Sequence, residues 1–285
     1  MFSDLPIKLR ANLAHPVIEA VTAAGEEILR IYNQDFNITF KQQQEPLTEA
    51  DLASNKIILK ALKKTNIAIL SEETADNPER VKQDLLWIVD PLDGTKEFIN
   101  KNGEFSILVG LAEKGIPVLG IIYQPTTQTL FLSSKGEGAY EKTPDGWKRL
   151  KTTSITALSE ARGILSRNNL SEEEIRFLEK NNMDKFTQKG SAGLKAGEIC
   201  RGNAEFYFNG TNHLKEWDTC AAHSLIIEAG GSLTAFNGEE ITYNKKDPIH
   251  HKGVLFANNS RLHEKIIREY KNFKPAGLSP SPKIK

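Results

Sequence analysis

One stretch constrains this chain more than any other: Trp87-Ile88-Val89-Asp90-Pro91-Leu92-Asp93-Gly94-Thr95-Lys96-Glu97-Phe98. Leu85 to Val89 is a short unbroken apolar run, the pattern of a strand covered on both faces. Turn chemistry follows, because Pro91 fixes φ and Gly94 accepts backbone angles that side chains make costly. The stretch reads as a buried strand entering a tight acidic turn, with a short helix opening at Gly94-Thr95. A turn brings carboxylates at i and i+3 together at the strand end. Asp90 and Asp93 placed there repel each other unless a cation lies between them, so the local physics asks for a metal.

The rest of the composition is unremarkable, and it excludes several function classes. With 285 residues there is material for a large core or for two halves. Lys+Arg and Asp+Glu balance at 37 each, so no global field points to a nucleic-acid polymer or to a membrane surface. Met1 to Arg10 lacks the apolar core of a signal peptide, and no run reaches membrane-spanning length. Cys200 and Cys220 each sit in a helix-like pattern and read as buried reduced thiols. A cytoplasmic protein without membrane insertion is expected.

Periodicity predicts a long amphipathic helix over residues 9–32, with Leu13, Val17, Val21, Ala24, Ile28 and Ile31 on one face. A strand is expected over 36–41. Thr48 and Asp51 form a capping-box-like opening to a second helix, 52–64. A short strand, 67–70, ends in Ser71-Glu72-Glu73. Residues 105–140 form short strands separated by Gly and Pro turns, an antiparallel meander. The polar segment around Pro144-Asp145-Gly146 is the expected boundary, giving halves over 1–145 and 146–274. The second half mixes strands at 162–166, 204–208, 232–235 and 253–257 with helices, including one opening at Glu216-Trp217-Asp218 and ending at Gly230-Gly231. Residues 275–285 read as a disordered tail. The overall class is a layered α/β protein.

Four readings compete for Asp90 and Asp93. A structural turn is the default. An EF-hand loop fails because its sixth position, Phe98, must be glycine. A haloacid-dehalogenase-type phosphatase needs its acid two residues after the nucleophile, where this chain has Leu92. A metal-dependent phosphatase with both carboxylates as ligands, and the Leu92 carbonyl between them, uses every residue present.

Ser71-Glu72-Glu73, Asp90-Pro91-Leu92-Asp93-Gly94-Thr95 and Trp217-Asp218 … Glu228-Ala229-Gly230-Gly231 resemble the three motifs of the inositol-monophosphatase superfamily of lithium-sensitive, magnesium-dependent phosphatases. The resemblance covers about residues 10–270, and the Asp-Gly-Thr-Lys-Glu-Phe variant is similar to the 3'(2'),5'-bisphosphate nucleotidase (CysQ) branch. It implies an αβαβα sandwich with the active site in the cleft between two halves. It also implies Mg2+ held by Glu72, Asp90 and the Leu92 carbonyl, and a second Mg2+ held by Asp90, Asp93 and Asp218, with a third, looser ion near Glu72 and Glu73. Gly94 and Thr95 would hold the scissile phosphate through their N–H groups, and the metal-bound face of the substrate would meet Glu72, Asp93 and Asp218. The Thr95 hydroxyl and Asp51, supported by Thr48, would orient the attacking water.

The implied substrate is a small phosphorylated molecule. For a nucleotide bisphosphate, Ser191 and Lys195 are the expected receivers of a second phosphate, although Lys195 also reads as a solvated helix lysine. An inositol or other sugar-phosphate monophosphatase with the same metals is one alternative, and a non-catalytic binder of phosphorylated metabolites is another. Inositol-type members carry a glutamate at the place of Thr211, which disfavours that alternative. Family members are commonly monomers or dimers, so a homodimer stays open. His250-His251 reads as loop residues rather than a metal pair.

Overall fold

The computed structural model describes residues 4–40, 46–143 and 145–273. Lys41, Pro144 and the expected tail at 275–285 lie outside the described residues. Five layers alternate helices and sheets, as the family resemblance implied.

The outer layer is α1 (Ala11–Tyr32) beside α2 (Glu49–Leu62), with a small antiparallel pair, β1 (Ile38–Phe40) and β2 (Pro46–Thr48), between them in sequence. Thr48 caps α2 in the expected box with Asp51. These helices cover one face of a seven-stranded sheet formed in chain order by β3 (Ala68–Ser71), β4 (Leu85–Asp93), β5 (Ser106–Glu113), β6 (Ile116–Gln124), β7 (Thr129–Ser134), β8 (Gly138–Thr143) and β9 (Gly146–Arg149). Only β3 and β4 pair in parallel; the others form the expected meander. A short helix, α3 (Thr95–Ile99), follows β4.

The second sheet runs in the order β11 (Phe186–Lys189), β10 (Gly163–Ser166), β12 (Phe206–Asn209), β14 (Val254–Ala257) and β13 (Ser232–Thr234). Helices α4 (Glu172–Lys180) and α7 (Ser260–Asn272) cover its far face around Phe177, Phe208, Leu262 and Ile266. Between the sheets lie α5 (Ala192–Arg201) and α6 (Glu216–Glu228). One continuous core joins Leu86, Ile88 and Leu108 of the first sheet, Leu194 and Ile199 of α5, Cys220 and Leu225 of α6, and Tyr207 and Phe256 of the second. Alternation explains the layering: Leu86 and Ile88 face this middle core, while Trp87 and Val89 face α1 and α2. Both cysteines are free and buried in the middle core.

Three departures from the expected elements have physical causes. The first sheet runs past the expected 145/146 boundary, because Gly146–Arg149 pairs with β8 across a hairpin whose polar turn resembles a linker. The edge strand β11 is mostly exposed, so it carries no apolar alternation to read. The strand expected over 36–41 is limited to Ile38–Phe40 among the described residues, all three exposed.

Glycines let α6 approach the sheet closely. A Cβ at Gly120 would lie 2.5 Å from the Ala221 carbonyl oxygen and 2.8 Å from Ser133 Oγ. Replacement Gly120→Ala overpacks this contact and should cost about 1–3 kcal/mol in urea unfolding. Burial also holds His263 neutral, lowering its pKa to about 4 while its Nε2 sits 2.9 Å from Thr234 Oγ1. Below the unfolded value of about 6.5 the unfolded chain binds the proton and the folded chain does not. Stability is then lost as pH falls from about 6.5 to about 4, by up to about 1.4 kcal/mol per pH unit for this group. His263→Gln should decline less steeply over that window when unfolding is followed by urea titration.

Candidate active site

The acidic string is not a terminal turn but an irregularity inside a strand. Asp90 pairs with Leu108 and Asp93 with Ser106, so three steps on β4 match two on β5. In a regular strand residues three apart point to opposite faces. The extra residue reverses that parity and turns both carboxylates to the same side. The Leu92 N–H donates to Asp90 Oδ1 at 3.0 Å, and Ser54 of α2 donates its hydroxyl to the Pro91 carbonyl at 2.7 Å, so the bulge is satisfied from within and below. Gly94 follows at φ +98°, where a Cβ would also lie 3.0 Å from the Glu104 carbonyl, and it starts α3.

Asp218 arrives from the start of α6. Its Oδ2 accepts from the Lys215 N–H at 2.6 Å, closing a capping box that aims the carboxylate at the bulge. One oxygen from each of Asp90, Asp93 and Asp218 lies within 4.8 Å of the others. Burial raises the pKa of all three. The charges of Glu72, Asp93 and Asp218 raise Asp90 further, and those of Glu72 and Asp93 raise Asp218. For Asp93, hydrogen bonds from Ser191 and Gly193 and the charge of Lys195 oppose the rise. A compact, all-oxygen, mutually repelling donor set suits a hard divalent cation. Glu72 stands outside this tight triad but lines the same cavity. Its loop is pinned by Asn55 of α2, whose Nδ2 donates to the Glu73 carbonyl and Thr74 Oγ1, and by the Glu72 N–H, which donates to the Val89 carbonyl. Glu73 is not among the cavity-lining residues.

Behind the bulge, Asp51 Oδ2 accepts from the Thr48 N–H at 2.7 Å and the Thr48 hydroxyl at 2.6 Å. Its Oδ1 lies 3.2 Å from the Thr95 hydroxyl, which is also 3.2 Å from the Leu92 carbonyl oxygen. Thr48, Asp51, Leu92 and Thr95, grouped by the family resemblance, lie together here although Asp51 and Thr95 are 44 residues apart.

The cavity, about 510 Å³, opens between the acidic bulge and the second sheet. Lys96, Arg167, Lys189, Lys195 and Lys215 line it together with Glu72, Asp90, Asp93 and Asp218. Lys195 is not a solvated helix lysine: it is 4% exposed, its Nζ donates to the Lys189 carbonyl and sits 4.9 Å from the Tyr207 ring centre. Burial lowers its pKa to about 8 against the opposing pull of Asp93, Glu97, Glu104 and Asp218. Ser191 differs from expectation. Its hydroxyl donates to Asp93 Oδ2 at 2.6 Å, accepts from the Leu194 N–H at 3.0 Å and lies 2.8 Å from Ser106 Oγ. Its proton is committed to Asp93, so Ser191 holds a carboxylate in place rather than offering a donor to a second phosphate. The Gly193 N–H donates to the same Asp93 oxygen at 2.9 Å. No short-range signal marks Ser106, Gly193, Ser54 or Asn55, because each acts across a long chain separation. His250 and His251 separate as expected, one against Thr219 Oγ1 and the other against Asp247.

A model of the inositol monophosphatase family matches residues 10–274. The chain belongs to the inositol monophosphatase family. Among family relatives, the 3'(2'),5'-bisphosphate nucleotidase CysQ of Buchnera aphidicola subsp. Acyrthosiphon pisum is 35% identical, over 85% of this chain and 92% of that protein. The protein of the same name from Aggregatibacter actinomycetemcomitans is 34% identical, over 85% and 91%. In structure, CysQ from Bacteroides thetaiotaomicron aligns with a TM-score of 0.76 at 29% identity, covering 88% of this chain and 99% of that one. The extragenic suppressor protein suhB from Bartonella henselae shares the fold, with a TM-score of 0.79 at 23% identity over 92% and 100%. No helix among the described residues is long and apolar enough to cross a membrane.

The clustered carboxylates make a testable statement about the metal-free protein. Asp218→Asn keeps an acceptor for the Lys215 N–H while removing one of the repelling charges. In chelator at neutral pH it should melt a few degrees above the parent chain, corresponding to about 1–2 kcal/mol. A divalent cation should raise the parent's melting temperature by more than it raises the variant's, which keeps Asp90 and Asp93 but loses the third carboxylate of the cluster.

Proposed function

We propose that the chain is a magnesium-dependent phosphatase. It removes the 3'-phosphate of adenosine 3',5'-bisphosphate, and that of 3'-phosphoadenylyl sulfate, to leave the 5'-nucleotide and inorganic phosphate. The observation that carries this reading is the pairing, in one cavity, of a carboxylate triad, two members buried and one half-buried, with five cationic side chains. A substrate with one phosphate needs the first feature. A substrate with two anionic groups uses both, and the CysQ relatives are named for bisphosphate nucleotides.

Glu72, Asp90 and the Leu92 carbonyl would hold one Mg2+, and Asp90, Asp93 and Asp218 a second, with Asp90 shared. Bound there, the ions supply Lewis-acid polarisation of phosphoryl oxygens and neutralise charge on the attacking and leaving oxygens. The chain supplies orientation. Asp51, fixed on one oxygen by Thr48, accepts a hydrogen bond from the Thr95 hydroxyl on the other. That leaves the Thr95 oxygen lone pairs facing the cavity to accept from a water and direct its attack in line with the ester bond. The N–H groups of Gly94 and Thr95, at the start of α3, receive the phosphoryl oxygens. Lys195, with two ammonium protons beyond its bond to Lys189, receives the second phosphate of the substrate. The product leaves as the 5'-nucleotide, AMP from the bisphosphate and adenylyl sulfate from its sulfated counterpart.

Phosphate release with magnesium, measured in parallel on adenosine 3',5'-bisphosphate and inositol 1-phosphate, tests the reading. Preferred turnover of the nucleotide is expected. Preference for inositol 1-phosphate would assign a sugar-phosphate monophosphatase, and no turnover of either would leave a binder. Asp51→Ala and Thr95→Ala should each lower kcat by about 10²–10⁴ with little change in KM, and the double variant should fall no further than the worse single one. Lys195→Ala should instead raise KM for the bisphosphate by about 10–100-fold, the worth of a charge-assisted bond at a buried site.

A further inference from the structure

Glu97 has no part in the mechanism above, yet it is built into the wall of the same cavity. It is 5% exposed, and its raised pKa comes mainly from burial. A carboxylate at such depth needs donors. Its Oε1 accepts from Asn168 Nδ2 at 2.6 Å, across the cleft from the second half. Lys195 lies close enough to favour its charge, while the Lys195 ammonium donates to the Lys189 carbonyl. Space is kept for this side chain by Gly190, where a Cβ would lie 2.2 Å from Glu97 Cγ. The strand end carrying Gly190 is held in turn by Glu104, which accepts from the Gly190 N–H and from Arg167. Glu97 is thus a buried acceptor in the cavity wall, held by Asn168 and by its own backbone N–H, two residues beyond Thr95.

We propose that Glu97 is a specificity-determining residue that accepts a hydrogen bond from the hydroxyl on the carbon next to the phosphate-bearing carbon. In the nucleotide this is the ribose 2'-hydroxyl. Asn168 is its positioning residue, fixing the carboxylate so that the second oxygen meets the sugar. The chemistry selects against anions and for a donor at that place, because a second phosphate or a carbonyl there would meet a carboxylate, and a deoxy carbon would leave the buried oxygen without a partner. This deepens the nucleotidase reading and rests on it.

The test compares kcat/KM for adenosine 3',5'-bisphosphate with that for 2'-deoxyadenosine 3',5'-bisphosphate in the full chain with magnesium. The parent should favour the ribonucleotide by at least about tenfold. In Glu97→Ala the ratio should fall to within about threefold of unity, and in Asn168→Ala to an intermediate value. A general structural fault would lower both substrates together and leave the ratio where it was. Glu97→Met keeps much of the volume and offers the sugar hydroxyl neither the carboxylate acceptor nor an amide donor, so its ratio should fall too. It decides the matter if the alanine variant does not fold, as judged by its melting. An unchanged ratio in the folded variants, or a parent that does not discriminate, overturns the inference alone. If the parent hydrolyses inositol 1-phosphate and neither nucleotide, the nucleotidase reading fails and this inference fails with it.

Discussion

A single extra residue in β4 is the constraint on which the site depends. Without it, Asp90 and Asp93 would face opposite cores, each a charge buried among apolar side chains at a cost no fold of this size tolerates. With it, both face one point, and Asp218 completes the set from α6. The bulge is affordable because its backbone groups find partners: the Leu92 N–H on Asp90, and the Pro91 carbonyl on Ser54. The chemistry therefore begins as a problem of strand register.

The middle layer performs the second task. Helices α5 and α6 belong to the second half of the chain but pack on the first sheet, and each delivers groups to the bulge from its N-terminal turn. Glycine at the contact lets backbone approach backbone, so the helix ends are placed by packing rather than by flexible loops. The two halves meet across a shared core, and the cavity is the gap where that core gives way to polar side chains.

How much of this the sequence discloses follows from distance along the chain. Asp90, Leu92, Asp93, Gly94 and Thr95 are nearly contiguous, so their motif survives as a string. The Thr48–Asp51 box is likewise local. Glu72 and Asp218 were legible through family resemblance and lie on the expected cavity. What escaped was relational. Ser191 looked like a phosphate receiver because its partner, Asp93, is 98 residues away. The acidic string looked like a turn because a bulge shows only when the register of the neighbouring strand is known. The boundary was placed inside a hairpin because polar turn residues look the same in a linker and between paired strands.

The grip of α5 on Asp93 has a dynamic consequence. A residue of the first half is held by the Ser191 hydroxyl and the Gly193 amide of the second, all buried, so the halves cannot swing apart like jaws without tearing this clasp and unzipping the shared core. Substrate must enter a site that is already assembled. The ordering entropy of Asp93 is met when the chain folds, not when a ligand arrives.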